Sequence, residues 1–280
     1  MTYRLFMPLV AKAGAIAPEP EPLPWSKRGV AGFTWSQVVE RYRWSGSRIT
    51  WGHSWGLHTG TGQGVERVPM VWGMTRPAHP HYGLAYALEN LPRDYDGWLL
   101  VLNEPADENQ SNISPLGGAD LWLAVCEGWP LAKLVGPQML AGMDGTGFYA
   151  RAQGWFQQFW AALPAWGRAR VAAHSYHIYH SLANEHTQVA RQWMDWCDAV
   201  AGARPYWVTE WGVNGSWHPV DGGKRAVREI AAWYDAEQRV ARHAYFIPWI
   251  DAGDGWGAYR MFGDNGMPTG IGRGWGLKLG

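Results

Sequence analysis

Two glutamates stand where apolar runs stop. Glu104 closes the segment LLVLNEPADEN, with Pro105 directly after it, and Glu210 closes YWVTEWGVNG. A continuous apolar run that ends in a carboxylate reads as a buried strand delivering an acid at its C-terminal end, where α/β barrels carry their chemistry. The two glutamates lie about three βα units apart in such a barrel, on its fourth and seventh strands. Side chains reaching inward from those strands could approach to about 5 Å, the separation at which one carboxylate attacks an acetal carbon and the other handles protons. A water-activating, inverting pair needs about 6.5–9.5 Å. Two carboxyls this close do not both ionise freely, so one is expected to titrate high.

Other residues at strand ends fit the same mouth. Asn103 precedes Glu104 and is expected to hydrogen-bond a sugar hydroxyl. His174 and Tyr176 alternate on the sixth strand, so both are expected to face the cleft, Tyr176 donating to Glu210 and His174 orienting a carboxylate. Gln138 and Asp251 end the fifth and eighth strands and offer polar groups for hydroxyls. The chain holds 21 Trp, more than a core of this size needs. Trp51, Trp55, Trp72, Trp211 and Trp249 fall at or just past strand ends, where a flat ring with one N–H donor suits the C–H face of a sugar. His177 and His180 extend a three-residue spacing from His174, but such a row at a strand-to-loop junction does not converge on one ion. DAGDGWG, acidic and Gly-rich, lacks the ligand spacing of an EF-hand. No metal and no cofactor is expected.

Eight apolar runs supply the strands: 29–33, 48–51, 68–72, 98–103, 133–137, 171–176, 206–210 and 244–249. They alternate with helical patterns over 36–43, 115–127 (capped by Ser114), 148–163, 184–200 (stopped by Gly202) and 223–240. Alternation of this kind predicts an α/β fold, a (β/α)8 TIM barrel. It is a reduced barrel, because GHSWGLHTGTGQG after the second strand and DAGDGWGAYRMFGDNG after the eighth read as loops, and the helices of the first half are short or missing. Residues 1–24, with Pro18, Pro20, Pro22 and Pro24 alternating with other residues, read as an extended arm, and 25–280 as the barrel.

With these residues in view, the ordered blocks KRGVAGF, VPMVWG, NEPADENQSNISP, LVGPQML, VAAHSYH, PYWVTEWG and RVARHAYF resemble those of glycoside hydrolase family 128, endo-β-1,3-glucanases within the clan of retaining (β/α)8 glycosidases. The resemblance spans residues 27–250. It implies hydrolysis of β-1,3-glucan by double displacement, with Glu104 as acid/base and Glu210 as nucleophile. The chain departs from the family pattern at ITWGHSWG, at Ser175 inside HSY and at EWG in place of EFA or EFG, all near the expected cleft. Another β-glycan (β-1,4-glucan or mannan), transglycosylation, or a non-catalytic glycan-binding barrel are the alternatives. A metal-dependent hydrolase using the histidine row is a further one, which would respond to chelators.

Composition narrows the partners. Lys plus Arg and Asp plus Glu are 24 each, which excludes the basic excess of a nucleic-acid binder or a polybasic membrane anchor. No stretch is long and apolar enough to span a bilayer. The expected partner is a β-glucan polysaccharide or oligosaccharide, met by a monomer. Cys126 and Cys197 fall on different helices, so no disulfide is expected. A polymeric substrate implies an extracellular site. Arg4, the apolar run 5–11 and the small residues after it resemble a secretory signal, interrupted by Pro8.

Overall fold

The computed structural model describes residues 27–32, 49–62, 65–74, 80–145, 148–250 and 253–277. The expected arm over 1–24 and the helix over 36–43 lie outside the described residues. A ten-stranded sheet runs β3-β4-β2-β1-β10-β9-β8-β7-β6-β5, with every pairing parallel except β3–β4. The strands are β1 (Arg28–Ala31), β2 (Trp51–His53), β3 (Thr61–Gly62), β4 (Val65–Arg67), β5 (Met70–Val71), β6 (Trp98–Val101), β7 (Lys133–Met143), β8 (Val171–Tyr179), β9 (Tyr206–Trp211) and β10 (Val240–Phe246).

The sheet closes on itself through one broken strand. β4 and β5 are consecutive halves of one stretch, interrupted at Val68 and at Pro69, which has no N–H to donate. The first half pairs with β2, and Val68 N donates to Gly52 O (3.0 Å). The second half pairs with β6, and Leu100 N donates to Pro69 O (2.9 Å). Counting that stretch once, and setting aside β3, which pairs only with β4 and antiparallel, the ring has the eight positions of the expected barrel. Most strands overlap the apolar runs, but β2 shares only Trp51 with 48–51, β10 starts four residues before 244, and β7 and β8 extend well past 137 and 176.

Helices cover the outside. Ser114 caps Pro115–Gly128, its Oγ accepting from Gly117 N at 3.1 Å with Pro115 at the first helical position. Gly202, at φ 80°, ends Ala183–Ala201. Phe148–Ala162 matches its sequence pattern, whereas Lys224–Ala236 stops short of the expected 240, where β10 begins. Leu84–Asn90, a helix the sequence reading leaves out, follows the broken strand. Cys126 and Cys197 are both free and buried, on separate helices.

Two cores result. One lies between strands and helices and includes Trp122, Tyr176, Trp193, Trp211 and Tyr234. The other fills the ring, with Trp51, Leu100, Val135, Ala173, Trp207 and Ala244. Near the strand starts the Arg242 guanidinium lies 4.3 Å from the Trp207 ring, 5.6 Å from Trp51 and 5.7 Å from Trp98, and pairs with Glu66 at 2.6 Å. That end is plugged, so the ring opens only towards the C-terminal ends of the strands.

Candidate active site

The open end holds a cleft of about 430 Å³ lined by Trp55, Trp72, Asn103, Glu104, Tyr179, Glu210, Phe246 and Trp256, among others. Both expected carboxylates are in it. Glu104 follows β6, where Leu102 (φ 65°) and Glu104 (φ 43°) take left-handed backbone conformations that non-glycine residues rarely adopt. Such conformations persist only when their surroundings fix them, and they collect at functional sites. Here Asn103 N donates to Trp72 O and Glu104 N to Gln138 O, each at 2.8 Å, tying both neighbouring strands to the turn.

Glu210 reaches the cleft through a bulge. Along β8, Tyr176 pairs with Val208 and the next residue, His177, pairs with Glu210; β10 shows the same extra residue on β9. The inserted residue is Thr209, so Thr209 and Glu210 both face inward, and a bulge beside a site re-aims a side chain in this way. Glu210 Oε1 accepts from Trp55 Nε1 at 2.7 Å, and its Oε2 accepts a short bond from the Tyr179 hydroxyl. Trp55 is held by packing. A Cβ at Gly32 (φ 77°) would sit 2.4 Å from its ring, and Phe246 meets it edge-on at 6.1 Å.

One histidine joins the pair. His177 Nδ1 lies 2.7 Å from Glu104 Oε1, and His177 Nε2 lies 2.9 Å from Thr209 Oγ1 and 3.6 Å from Glu210 Oε1. One ligand-capable atom from each of Glu104, His177 and Glu210 falls within 4.8 Å of the others. Both ring nitrogens of His177 lie against neighbouring oxygens, Nδ1 against Glu104 and Nε2 against Thr209. A second grouping, Asp144, His180 and Glu185, is separate. His177 and His180 therefore belong to two different groupings.

Burial dominates the electrostatics. It raises Glu104 to about 8, with the Asp107 charge adding to the effect. It also raises Glu210, against which the His177 ring, the Tyr179 hydroxyl and the Trp55 N–H favour the carboxylate while Glu104 disfavours it. His177 is lowered by burial and pulled back by Glu210, so the neutral imidazole is favoured. Burial and then the Glu210 charge hold the Tyr179 phenol far above its ordinary value. The site thus separates its two acids, one held protonated and one supplied with donors.

Several expected cleft residues lie elsewhere. His174 and Tyr176 face outward, because β8 continues to Tyr179 and the inward positions are Ala173, Ser175, His177 and Tyr179. His174 Nε2 lies 3.0 Å from Gly202 O, and Tyr176 packs in the outer core. The sequence named the strand and its alternation but took the wrong phase. The small Ala173 and Ser175 mark the crowded inner face and were the available signal. Trp211 follows the bulge and points among Tyr234, Tyr245 and Trp275. Trp51 is buried at the plugged end, donating to Lys27 O at 3.0 Å. Gln138 is fully buried beneath the cleft. Trp249 is 41% exposed and outside the cleft lining, and Asp251 lies outside the described residues. Trp55, Trp72 and Asn103 do line it. Phe246, the last residue of β10, lines it as well, with Trp256, Asp107, Asn109 and Gln110 from loops that pattern alone does not place.

Barrels that hold an acid pair in an aromatic cleft at this end form a class, the α/β barrels of glycoside chemistry. The family model described as Glycosyl hydrolase catalytic core matches residues 30–275, and the chain belongs to that family. Solved structures of glycoside hydrolase family 128 share the fold. An endo-β-1,3-glucanase from Sorangium cellulosum (subgroup II) is 22% identical, with a TM-score of 0.67 over 89% of this chain and 97% of the other. A curdlan-specific exo-β-1,3-glucanase from Blastomyces gilchristii (subgroup III), in complex with glucose, is 19% identical, with a TM-score of 0.64 over 90% and 98%. An oligosaccharide-binding protein from Trichoderma gamsii (subgroup VII) is 19% identical, with a TM-score of 0.65 over 92% and 96%. No curated protein matches the chain.

Proposed function

We propose that the protein is a retaining endo-β-1,3-glucanase, with Glu210 as nucleophile and Glu104 as acid/base. The observation that carries this reading is the approach of the two carboxyl groups in the cleft, with oxygens within 4.8 Å. That is close to the spacing of about 5–5.5 Å used for double displacement and too short to seat the water of an inverting enzyme.

Glu210, ionised between the Tyr179 and Trp55 donors, attacks the anomeric carbon. Glu104 gives its proton to the departing oxygen. Esterification removes the Glu210 charge, which stabilises the Glu104 carboxylate left by the first transfer. That carboxylate then takes a proton from water as the water oxygen attacks the anomeric carbon and the bond to Glu210 breaks, returning both residues to their starting states. Asn103 Nδ2 is committed to Gln110 Oε1 at 3.1 Å, while its buried Oδ1 has no partner. A sugar hydroxyl donating to that oxygen would satisfy it in the bound state. Trp72 and Trp256 supply flat apolar faces for adjacent rings. Among the described residues, the three acids of the lining are matched by no lysine or arginine, which favours a neutral glycan over a uronate. The enzyme works as a monomer on a polysaccharide outside the cell.

The β-1,3 linkage is supported by the glucanase activity of two relatives of the same fold. A binding role without turnover is the second reading, favoured by the oligosaccharide-binding relative. Product release from laminarin-type β-1,3-glucan, beside cellulose and mannan, separates these when wild type and Glu210→Gln are compared, with the anomer of the first product read by NMR. Retained β-anomer from the β-1,3-glucan alone, lost in the variant, is expected. Inverted product would overturn the mechanism, and binding without product the activity.

A further inference from the structure

Gln138, Ser175 and Thr209 form a polar cluster inside an otherwise apolar ring, directly beneath the carboxylates, and the reaction as written does not use them. Their hydrogens can be counted. Gln138 Nε2 lies 2.8 Å from Val135 O and 3.3 Å from Val101 O, both acceptors only, so the amide cannot be turned round and its Oε1 must face the cluster. Oε1 carries no hydrogen, yet Ser175 Oγ lies 2.5 Å from it and Thr209 Oγ1 2.7 Å from it. Ser175 Oγ also lies 2.8 Å from Trp207 O and 3.0 Å from Thr209 Oγ1, and its one hydrogen serves only one of these acceptors. With that hydrogen on the Trp207 carbonyl, Thr209 is the donor left for the Gln138 oxygen, and with it on Gln138 the Thr209 contact at 2.7 Å still needs one of its own. The single hydrogen of Thr209 is therefore spent on Gln138.

That leaves Thr209 Oγ1 an acceptor towards His177 Nε2 at 2.9 Å. Nε2 must carry a hydrogen, and the Glu210 carboxylate 3.6 Å away favours the same choice independently. In the neutral ring Nδ1 is then a bare lone pair, aimed at Glu104 Oε1 at 2.7 Å. A carboxylate there would face a lone pair, whereas a carboxylic acid donates to it.

We propose that Gln138, acting through Thr209, fixes His177 as the Nε2–H tautomer and thereby makes Glu104 hold the proton that it donates. Gln138 and Thr209 are positioning residues, since neither lines the cleft. The inference rests on Glu104 as the proton donor, but its central claim concerns a tautomer and stands apart from turnover. The other groups facing this pair are Asp107 after β6, Tyr179 on β8, Glu210 on β9 and, through the Thr209 carbonyl, His53 on β2 (2.9 Å). β7 and β10 present only Leu140, Met143 and Phe246 to the cleft. His53 is buried and held neutral, lowered to about 4, so the charges besides Glu104 are Asp107 and Glu210, both of which oppose its ionisation.

The test reads the ring nitrogens of His177 by ¹⁵N NMR, assigned through the signal lost in His177→Gln, in the unliganded protein near pH 7. The wild type is expected to show Nε2–H. Gln138→Met frees the Thr209 hydrogen to donate to Nε2, which moves the ring to Nδ1–H and stabilises the Glu104 carboxylate. The alkaline limb of kcat/KM is then expected to fall by about one unit or more, while Thr209→Ser, which keeps the hydroxyl, leaves tautomer and limb as in wild type. An Nδ1–H ring in the wild type overturns the inference, with no variant needed. So does a folded Gln138→Met protein whose ring stays Nε2–H. Should no glucan be hydrolysed, the tautomer in wild type and variant still decides.

Discussion

Replacing Tyr179 by Phe removes one hydroxyl and leaves the ring that packs against Phe246, Trp256 and Tyr259. That hydroxyl donates to Glu210 Oε2, and the phenol stays protonated across any working pH. Burial already raises Glu210, and only His177, Tyr179 and Trp55 counter it. A hydrogen bond to a charged group contributes about 1.5–3 kcal/mol. At about 1.4 kcal/mol per pKa unit, its loss should raise the nucleophile by roughly one to two units. Because Glu210 must be ionised to attack, the acid limb of kcat/KM should move up by that amount, with the alkaline limb nearly in place. The assay is kcat/KM across about pH 3 to 9 on a soluble β-1,3-glucan oligosaccharide, with thermal melts to confirm folding. An acid limb that does not move in a folded Tyr179→Phe protein refutes the idea that this bond keeps the nucleophile charged.

Further outcomes follow from the same geometry. The wild-type alkaline limb should lie near pH 8, set by Glu104, and a limb below about 6 would contradict that assignment. Glu104→Gln should stabilise the fold as well as cut turnover. A carboxyl whose folded pKa lies above its unfolded value binds the extra proton in the native state, so its stabilising contribution is complete below pH 4.5 and drains away up to about 8. The stability advantage of the variant should therefore widen over that window, reaching on the order of 5 kcal/mol at the top, as read by calorimetry at several pH values. Glu104→Ala should lose most activity on glucan but keep glycosylation of aryl glycosides, whose leaving groups need no proton, with azide restoring turnover. Arg242→Met should lower stability by about 2–4 kcal/mol in a denaturant melt, because it strips the charge held among three indoles and leaves Glu66 without that partner. EDTA should leave activity unchanged.

The sequence made the barrel legible because its strands are nearly continuous apolar runs, a pattern that survives without knowledge of neighbours. It made Glu104 and Glu210 legible for the same reason, since each interrupts such a run at its end. Phase was harder to read. A period of two gives two choices, and the choice at β8 depended on three further residues of strand that the pattern does not mark off from loop. His177 and Tyr179 consequently replace His174 and Tyr176 in the cleft. At β9 the bulge hides from any alternation rule, because it is a property of the pairing with β8 and β10 and not of the residues inserted. The helix Leu84–Asn90 has seven residues, too few turns for a period of 3.6 to declare itself. Trp256 and Phe246 come into the cleft through loop geometry and strand ends that no local signal specifies.

The extra residue in β9 also decides which parts of this site can drift. Trp211 points into the layer between strands and helices, so a glutamate moved one step forward would be stranded in apolar surroundings with its charge unmet, and one moved one step back would replace Thr209 and lie beneath the cleft beside Gln138 and Ser175. The nucleophile therefore cannot change position by point substitution, and only an insertion or deletion of backbone could shift it, at the cost of re-phasing every pair with β8 and β10. Trp72 and Trp256, which line the mouth without bonding Glu210, sit under no such constraint. Divergence from a common ancestor would then run through what the cleft accepts, while the bond-breaking pair stays anchored to the register of a single strand.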